Sequence, residues 1–294
     1  MPFKQIRTIL ALETQTADAG TKVVKLPLSN FLHTLAVQVE AKLGTGPTKA
    51  YSIYDHTTKI EVIANGSEVI TSLTPKEIHD WHRALWDFEP IHVSANTAGA
   101  TVYSYFYIPF GRLFWDPNFY LPCGRFADLE LRISYSPHIA ADGFASGTTK
   151  IAVYGYMTIG GEPGPFSGIF RRTTVYDYTT PESGDTVVDL PRRLPIDGIM
   201  VYAVKTGATL EEIISNVKLS LNGDQTVPLN LPTSVLKALQ KRLNPPVNAV
   251  VIDLADFENN KPLDPKRYDM VQLVLTNATP GADAKVSLEE ILGV

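Results

Sequence analysis

The chain has 294 residues, a formal net charge of −5, 44% hydrophobic and 19% charged residues, enough for one large or two average domains with real cores and too apolar for a disordered chain. Its basic residues are dispersed, which excludes the stripe of a duplex-binding protein, and no run of about 18 apolar residues is present to span a membrane. The single cysteine, Cys123, excludes an intrachain disulfide and a cysteine-built zinc site. In chain order, Phe3, Ile6 and Ile9/Leu10 recur at helical spacing beside Lys4 and Arg7, which suits a short amphipathic helix. No secretory signal is visible there, since a cleavable apolar core is missing. Alternation at Leu35-Val37-Val39 and Ile60-Val62 predicts strands. Asn65-Gly66 follows, a tight hairpin signal because both residues tolerate positive φ. Thr74-Pro75-Lys76-Glu77 is a capping box with proline at the first helical position, and it opens a helix presenting Ile78, Trp81 and Leu85. Leu129-Leu131-Ile133 and Ile151-Val153 are further strands, before the glycine-rich Gly160–Gly168. Beyond it come the strand Val217-Leu219-Leu221, a second hairpin at Asn222-Gly223, a helix after Pro232 presenting Val235, Leu239 and Leu243, and the strand Val271-Leu273-Leu275.

The two halves carry one pattern in one order. Val23-Val24-Lys25-Leu26-Pro27 with Phe31, Leu32, Leu35 and Val37 returns 164 residues later as Val187-Val188-Asp189-Leu190-Pro191 with Pro195, Ile196, Ile199 and Val201. Lys59–Gly66 returns as Asn216–Gly223 at a spacing of 157, and Ile78, Trp81 and Leu85 return as Leu236, Leu239 and Leu243 at 158. Phe126, Leu129, Leu131 and Ile133 match Tyr268, Val271, Leu273 and Leu275 at 142, and Lys150-Ile-Ala-Val matches Lys285-Val-Ser-Leu at 135. Spacings that only fall describe a duplicated β-rich domain with shorter loops in the second copy. The expected division is an N-terminal arm over 1–22, a first domain over 23–160, a linker over 161–168 and a second domain over 169–294. The alternative for Gly160–Gly168 is a surface loop inside one domain. Copy one has 16 more residues between its helix and its next matched strand, which places a longer loop or added hairpin around Trp86–Ala100 or Gly111–Gly124.

Candidate chemistry is sparse. His79 and His82 lie i, i+3 on the first helix, a spacing that can hold a metal, but copy two has Lys237 and Gln240 there, so a solvated polar face is expected. No Gly-x-Ser-x-Gly elbow occurs, and Asp55, His56, Asp87 and Glu89 show no spacing that demands a carboxylate pair. Tyr103-Ser-Tyr-Phe-Tyr107 with Phe114-Trp115 reads as core and subunit-contact packing, with sugar stacking as the alternative. Asn65-Gly-Ser67 and Asn277-Ala-Thr279 fit the glycosylation pattern by accident. No catalytic residue, cofactor, metal or sequence-specific nucleic-acid partner is expected.

A β-rich repeat with strand, Asn-Gly, strand, then a short helix, occurring twice in this length, resembles the double jelly-roll major capsid proteins of tailless icosahedral viruses of the adenovirus-like lineage. The resemblance covers roughly residues 20–294, and the chain's compact size is nearer the prokaryotic-virus members. It implies an all-β fold of two tandem jelly-roll sandwiches with one short helix in each. It also implies a structural protein that forms pseudo-hexameric homotrimers and then an icosahedral shell around the genome. The implied partners are neighbouring capsomers, vertex and minor capsid proteins, and an internal lipid membrane where one exists. The implied location is the virion, assembled in the host cytoplasm. The alternatives are a double β-sandwich glycan-active enzyme or lectin, and a minor capsid or vertex protein. In that family an N-terminal arm often lies at the shell's inner face, which makes Phe3, Lys4, Ile6, Arg7 and Leu10 candidates for a membrane or inner-face contact. A strand or helix packed on its own domain or on a neighbouring subunit is the alternative.

Overall fold

The computed structural model describes residues 4–14, 18–47, 50–86, 89–112, 114–116, 118–160, 169–181, 184–239, 246, 248–254 and 261–293. Its first half forms two antiparallel sheets. One contains β1 (Lys4–Thr14), β10 (Lys150–Ile159), β3 (Phe31–Lys42), β7 (Thr101–Pro109) and the two-residue β6 (His92–Val93), in that order, with β8 (Leu121–Pro122) beside β3. The other has the order β2 (Gly20–Lys25), β9 (Leu129–Tyr135), β4 (Thr57–Ala64), β5 (Glu68–Leu73). The second half repeats both. Its sheets run β11 (Ile169–Thr179), β18 (Asp283–Gly293), β13 (Ile196–Val204), β16 (Ala249–Asp253) and β12 (Gly184–Asp189), β17 (Val271–Asn277), β14 (Ile214–Leu221), β15 (Thr226–Pro232). In each half the first strand pairs with the last, and eight strands fall into two sheets of four, to which the first half adds the short β6 and β8. That is the wrap of an eight-stranded jelly roll, present twice.

Alternation sets the two cores. Leu35, Val37, Val39, Ile60, Val62, Leu129, Leu131, Ile133 and Val153 are all buried in the first half. In the second, Ile199 and Val201 from one sheet and Val217, Leu219, Leu273 and Leu275 from the other share one apolar cluster. Each such side chain contributes about 1.5–3 kcal/mol on burial. By contacts the chain separates into two compact units. One holds Met1–His79, Glu89–Arg171 and Gly293–Val294, the other Asp80–Phe88 and Arg172–Leu292. Residues 161–168, read as the linker, lie outside the described residues.

The duplication extends to single hydrogen bonds. Asn65 (φ 51°) and Gly66 (φ 78°) form the β4–β5 turn, and Asn222 (φ 53°) and Gly223 (φ 64°) form the β14–β15 turn. The Asn65 side-chain oxygen accepts from the Ala127 N–H, and that of Asn222 accepts from the Asp269 N–H. The two backbone N–H groups donate to Asp128 and Met270. A capping box at Ser52/Asp55 closes a 3₁₀ turn before β4, and one at Thr209/Glu212 starts the single turn α2 (Leu210–Ile213) before β14. The added residues of copy one hold β6 in one expected region and β8 in the other.

Three expectations are corrected. The N-terminal segment is a strand, not an amphipathic helix. Its residues Lys4–Thr14 pair in antiparallel register with β10, with a bulge between Ile9 and Ala11. A helix this short is marginal in water, whereas β10 offers a full row of unpaired backbone groups. Nor does the segment stand outside the repeat as the expected arm does, because β11 holds the matching place beside β18. The residues differ between β1 and β11, so the sequence match missed them. Third, α2 adds a helical turn that hydrophobic periodicity did not reveal, because it is too short to show a period.

Candidate assembly surfaces

The two helices that follow the hairpins are α1 (Pro75–Trp86) and α3 (Thr233–Leu239). The Thr74 N–H donates to the Glu77 carboxylate at 2.7 Å and the Glu77 N–H to the Thr74 hydroxyl at 3.3 Å, so the expected capping box forms. The residues 158 apart along the two helices match. Pro75 and Thr233 are buried, as are Ile78 and Leu236. The next face differs. Glu77, Asp80 and Trp81 are buried, while Val235, Ala238 and Leu239 are exposed. Trp81 is 4% exposed against 59% for Leu239. The expected inward face of α3, Val235 and Leu239, is therefore its outward face, and Thr233 and Leu236 turn inward. Leu243 lies outside the described residues.

The polar face of α1 is likewise not solvated as expected. His82 and Asp80 are buried, and of Pro75–Ala84 only Lys76 is exposed. His79 Nε2 lies 2.9 Å from Glu89 Oε1, an ion pair when the imidazole is protonated. Among the described residues no group of three or more His, Cys, Asp and Glu could hold a metal ion. Cys123 is buried, and burial pushes its thiol up to about 12. Asn277 is buried with its amide donating to Gly184 O and Thr186 Oγ1, which is no place for a glycan. No helix among the described residues is long and apolar enough to cross a membrane.

The sheet β1-β10-β3-β7 presents an aromatic outer face. Phe106 and Ile108 of β7 point to the core, and Tyr103, Tyr105 and Tyr107 alternate outward. Tyr105 and Tyr107 stack at 6.3 Å between ring centroids, and Tyr154 of β10 lies 6.4 Å from Tyr105. Phe114 meets Tyr156 edge-on at 4.4 Å, and the Arg7 guanidinium sits 5.3 Å over the Tyr156 ring. Burial, reinforced by Tyr156, pushes the Tyr107 phenol up to about 12, so it stays neutral. On β1, Ile9 pairs with Tyr154 and Leu12 with Ala152, which puts both on this face. They are 61% and 70% exposed, large values for isoleucine and leucine. Of the residues read as an inner-face contact, Arg7 is exposed and Ile6 and Leu10 are half buried. Only the backbone of Lys4 is described, and Phe3 lies outside the described residues.

No protein-family model matches the sequence, and no curated protein does. Solved structures do. The chain matches the structure of Sulfolobus Turreted Icosahedral Virus at 14% identity and a TM-score of 0.76, over 98% of this chain and 90% of that one. It matches the major capsid protein P2 from bacteriophage PM2 at 14% identity and a TM-score of 0.68, over 98% of each chain. With the PBCV-1 virus capsid the values are 14% and 0.67, over 99% of this chain and 94% of that one. The chain thus has the double jelly-roll fold found in major capsid proteins of icosahedral viruses.

Proposed function

We propose that this chain is a viral major capsid subunit, not an enzyme, which self-assembles as pseudo-hexameric trimers into an icosahedral shell around the genome. The observation that carries this reading is the duplication itself. Two eight-stranded rolls with the same strand order lie in one chain, so three chains supply six similar wedges and tile a hexagonal lattice from one gene product. The exposed apolar groups on α3 and on β1 support it, since such patches mark contact sites. On this reading the partners are copies of the same chain, neighbouring capsomers, and vertex and minor capsid proteins. The shell is built in the host cytoplasm. An inner-face or membrane contact at the N-terminus would run through Arg7, because Ile6 and Leu10 are half buried in the sheet.

Light scattering on the purified protein is expected to give about 97 kDa, three times the 32.3 kDa chain, or larger capsomer arrays. Electron microscopy of the same material should show a hexagonal lattice of trimers. A strictly monomeric protein at micromolar concentration defeats the proposal.

A further inference from the structure

The repeat separates what the fold needs from what copy one adds. Residues 43–56 join β3 to β4 where 205–213 suffice between β13 and β14, and 136–149 join β9 to β10 where 278–282 suffice between β17 and β18. The first of these longer connections and the residues around β6 line a pocket of about 240 Å³ within the first unit. Its floor is apolar, with Leu43, Ile53 and Val102 all buried. Tyr51, Ser94 and Asn96 form an exposed rim beside the half-buried His92. The Tyr51 ring stacks on His138 at 4.2 Å between centroids and 24°. His138 comes from the second long connection and does not line the pocket, so it backs the tyrosine and makes a rigid wall. His92 is held in the same way, stacked on Tyr54 at 4.6 Å. Among the described residues, the side chains of Ser94 and Asn96 make no hydrogen bond, and His92 Nδ1 is buried without one. No Lys, Arg, Asp or Glu lines the pocket. Burial, against an opposing pull from Glu89, holds the His92 pKa below its ordinary value, so the lining is neutral at pH 7.

We propose that this pocket binds one neutral pyranose sugar ring, with its C–H face against Tyr51 and the apolar floor and its hydroxyls toward Ser94, Asn96 and His92. The chemistry follows from the lining. An apolar floor with a rigid aromatic wall takes the C–H face of a sugar, and a few placed polar groups fix its orientation. A hydrocarbon ligand would leave those polar groups without partners, and a charged one would meet no counter-charge. The pocket is smaller than a drug-sized site, which leaves room for a single ring. It lies in one roll, so the proposal goes beyond the capsid reading and stands without it. In a shell the site would be repeated once per subunit, and weak single-site binding would then add up to firm attachment to a sugar-bearing surface.

The test is saturation-transfer difference NMR on the full-length protein in whatever assembly state it adopts. The probes are glucose, galactose, mannose and N-acetylglucosamine, each as the reducing sugar and as its methyl glycoside. At least one should receive saturation from the protein. Tyr51→Ala and Asn96→Ala should each weaken that binding about tenfold, the worth of one good contact, with the thermal midpoint and circular dichroism unchanged because both side chains are exposed. Binding of the methyl glycosides marks the terminal residue of a glycan, and binding of the reducing sugars alone marks a free sugar. No transfer to any of the eight probes overturns the proposal and leaves the capsid reading intact. So does binding that survives Tyr51→Ala but is lost in Tyr105→Ala, which would put the sugar on the open tyrosine face. An equal response to cyclohexanol, a ring without the hydroxyl pattern, overturns it as well.

Discussion

His56 and Ile213 hold the same place in the two copies, 157 residues apart, and both are fully buried. His56 Nε2 lies 2.7 Å from Thr149 Oγ1, whereas the second copy has Ala284 in the place of Thr149. Burial lowers the His56 pKa from 6.5 to about 4, so the folded protein holds it neutral. The unfolded chain takes up the proton first as pH falls. Stability from neutral His56 is therefore complete above pH 6.5 and is lost as pH drops toward 4, by on the order of 3 kcal/mol. Burial lowers the pKa of His33 too, in the same direction. His56→Ile, which copies Ile213, should flatten the fall in denaturant stability between pH 7 and pH 4 by roughly this amount. A slope unchanged from wild type would show that the proton is taken up elsewhere. The histidine was visible in the sequence, but its role was not, because nothing local distinguishes a loop histidine from one sealed under a sheet.

At the scale of elements, what was legible was local. Asn-Gly turns need positive φ, and the Thr74/Glu77 box satisfies helix N–H groups within four residues, so both signals are complete in a few residues. Strand β1 was not legible, because its partner β10 lies more than a hundred residues away. Side chains at Phe3, Ile6 and Leu10 fit a helical spacing equally well. The edge pairing decided the outcome, with Ile6 turned toward the core and Arg7 outward. Removing residues 1–14 deletes a full strand and its ladder. We expect a loss on the order of 3–5 kcal/mol from the first unit, summing two half-buried aliphatics and several net hydrogen bonds. Amide hydrogen exchange should then show lost protection along Ala152–Met157 and no change along Val271–Leu275. Full protection of β10 in the shortened chain would show that β1 is dispensable.

At the scale of the whole molecule, a fold with uncovered apolar faces gains stability from its own copies. The unfolding midpoint should rise with protein concentration, since a partner that binds only the folded state stabilises it by mass action. Over a hundredfold range the expected rise is several degrees, and Leu239→Glu with Val235→Glu should abolish it. A midpoint independent of concentration would mean that the folded chain stands alone. The sequence by itself determined the duplication, the strands that alternate clearly, the two hairpin turns and the two helix starts. Each of these rests on periodicity or turn chemistry within a short stretch. Tertiary structure alone decided that β1 belongs to a sheet, that α1 is enclosed while α3 is bare, and that the tyrosines of β7 and β10 share one open face. Those facts depend on which distant strand or sheet covers a surface, and a covered helix face and an open one can carry the same residue pattern.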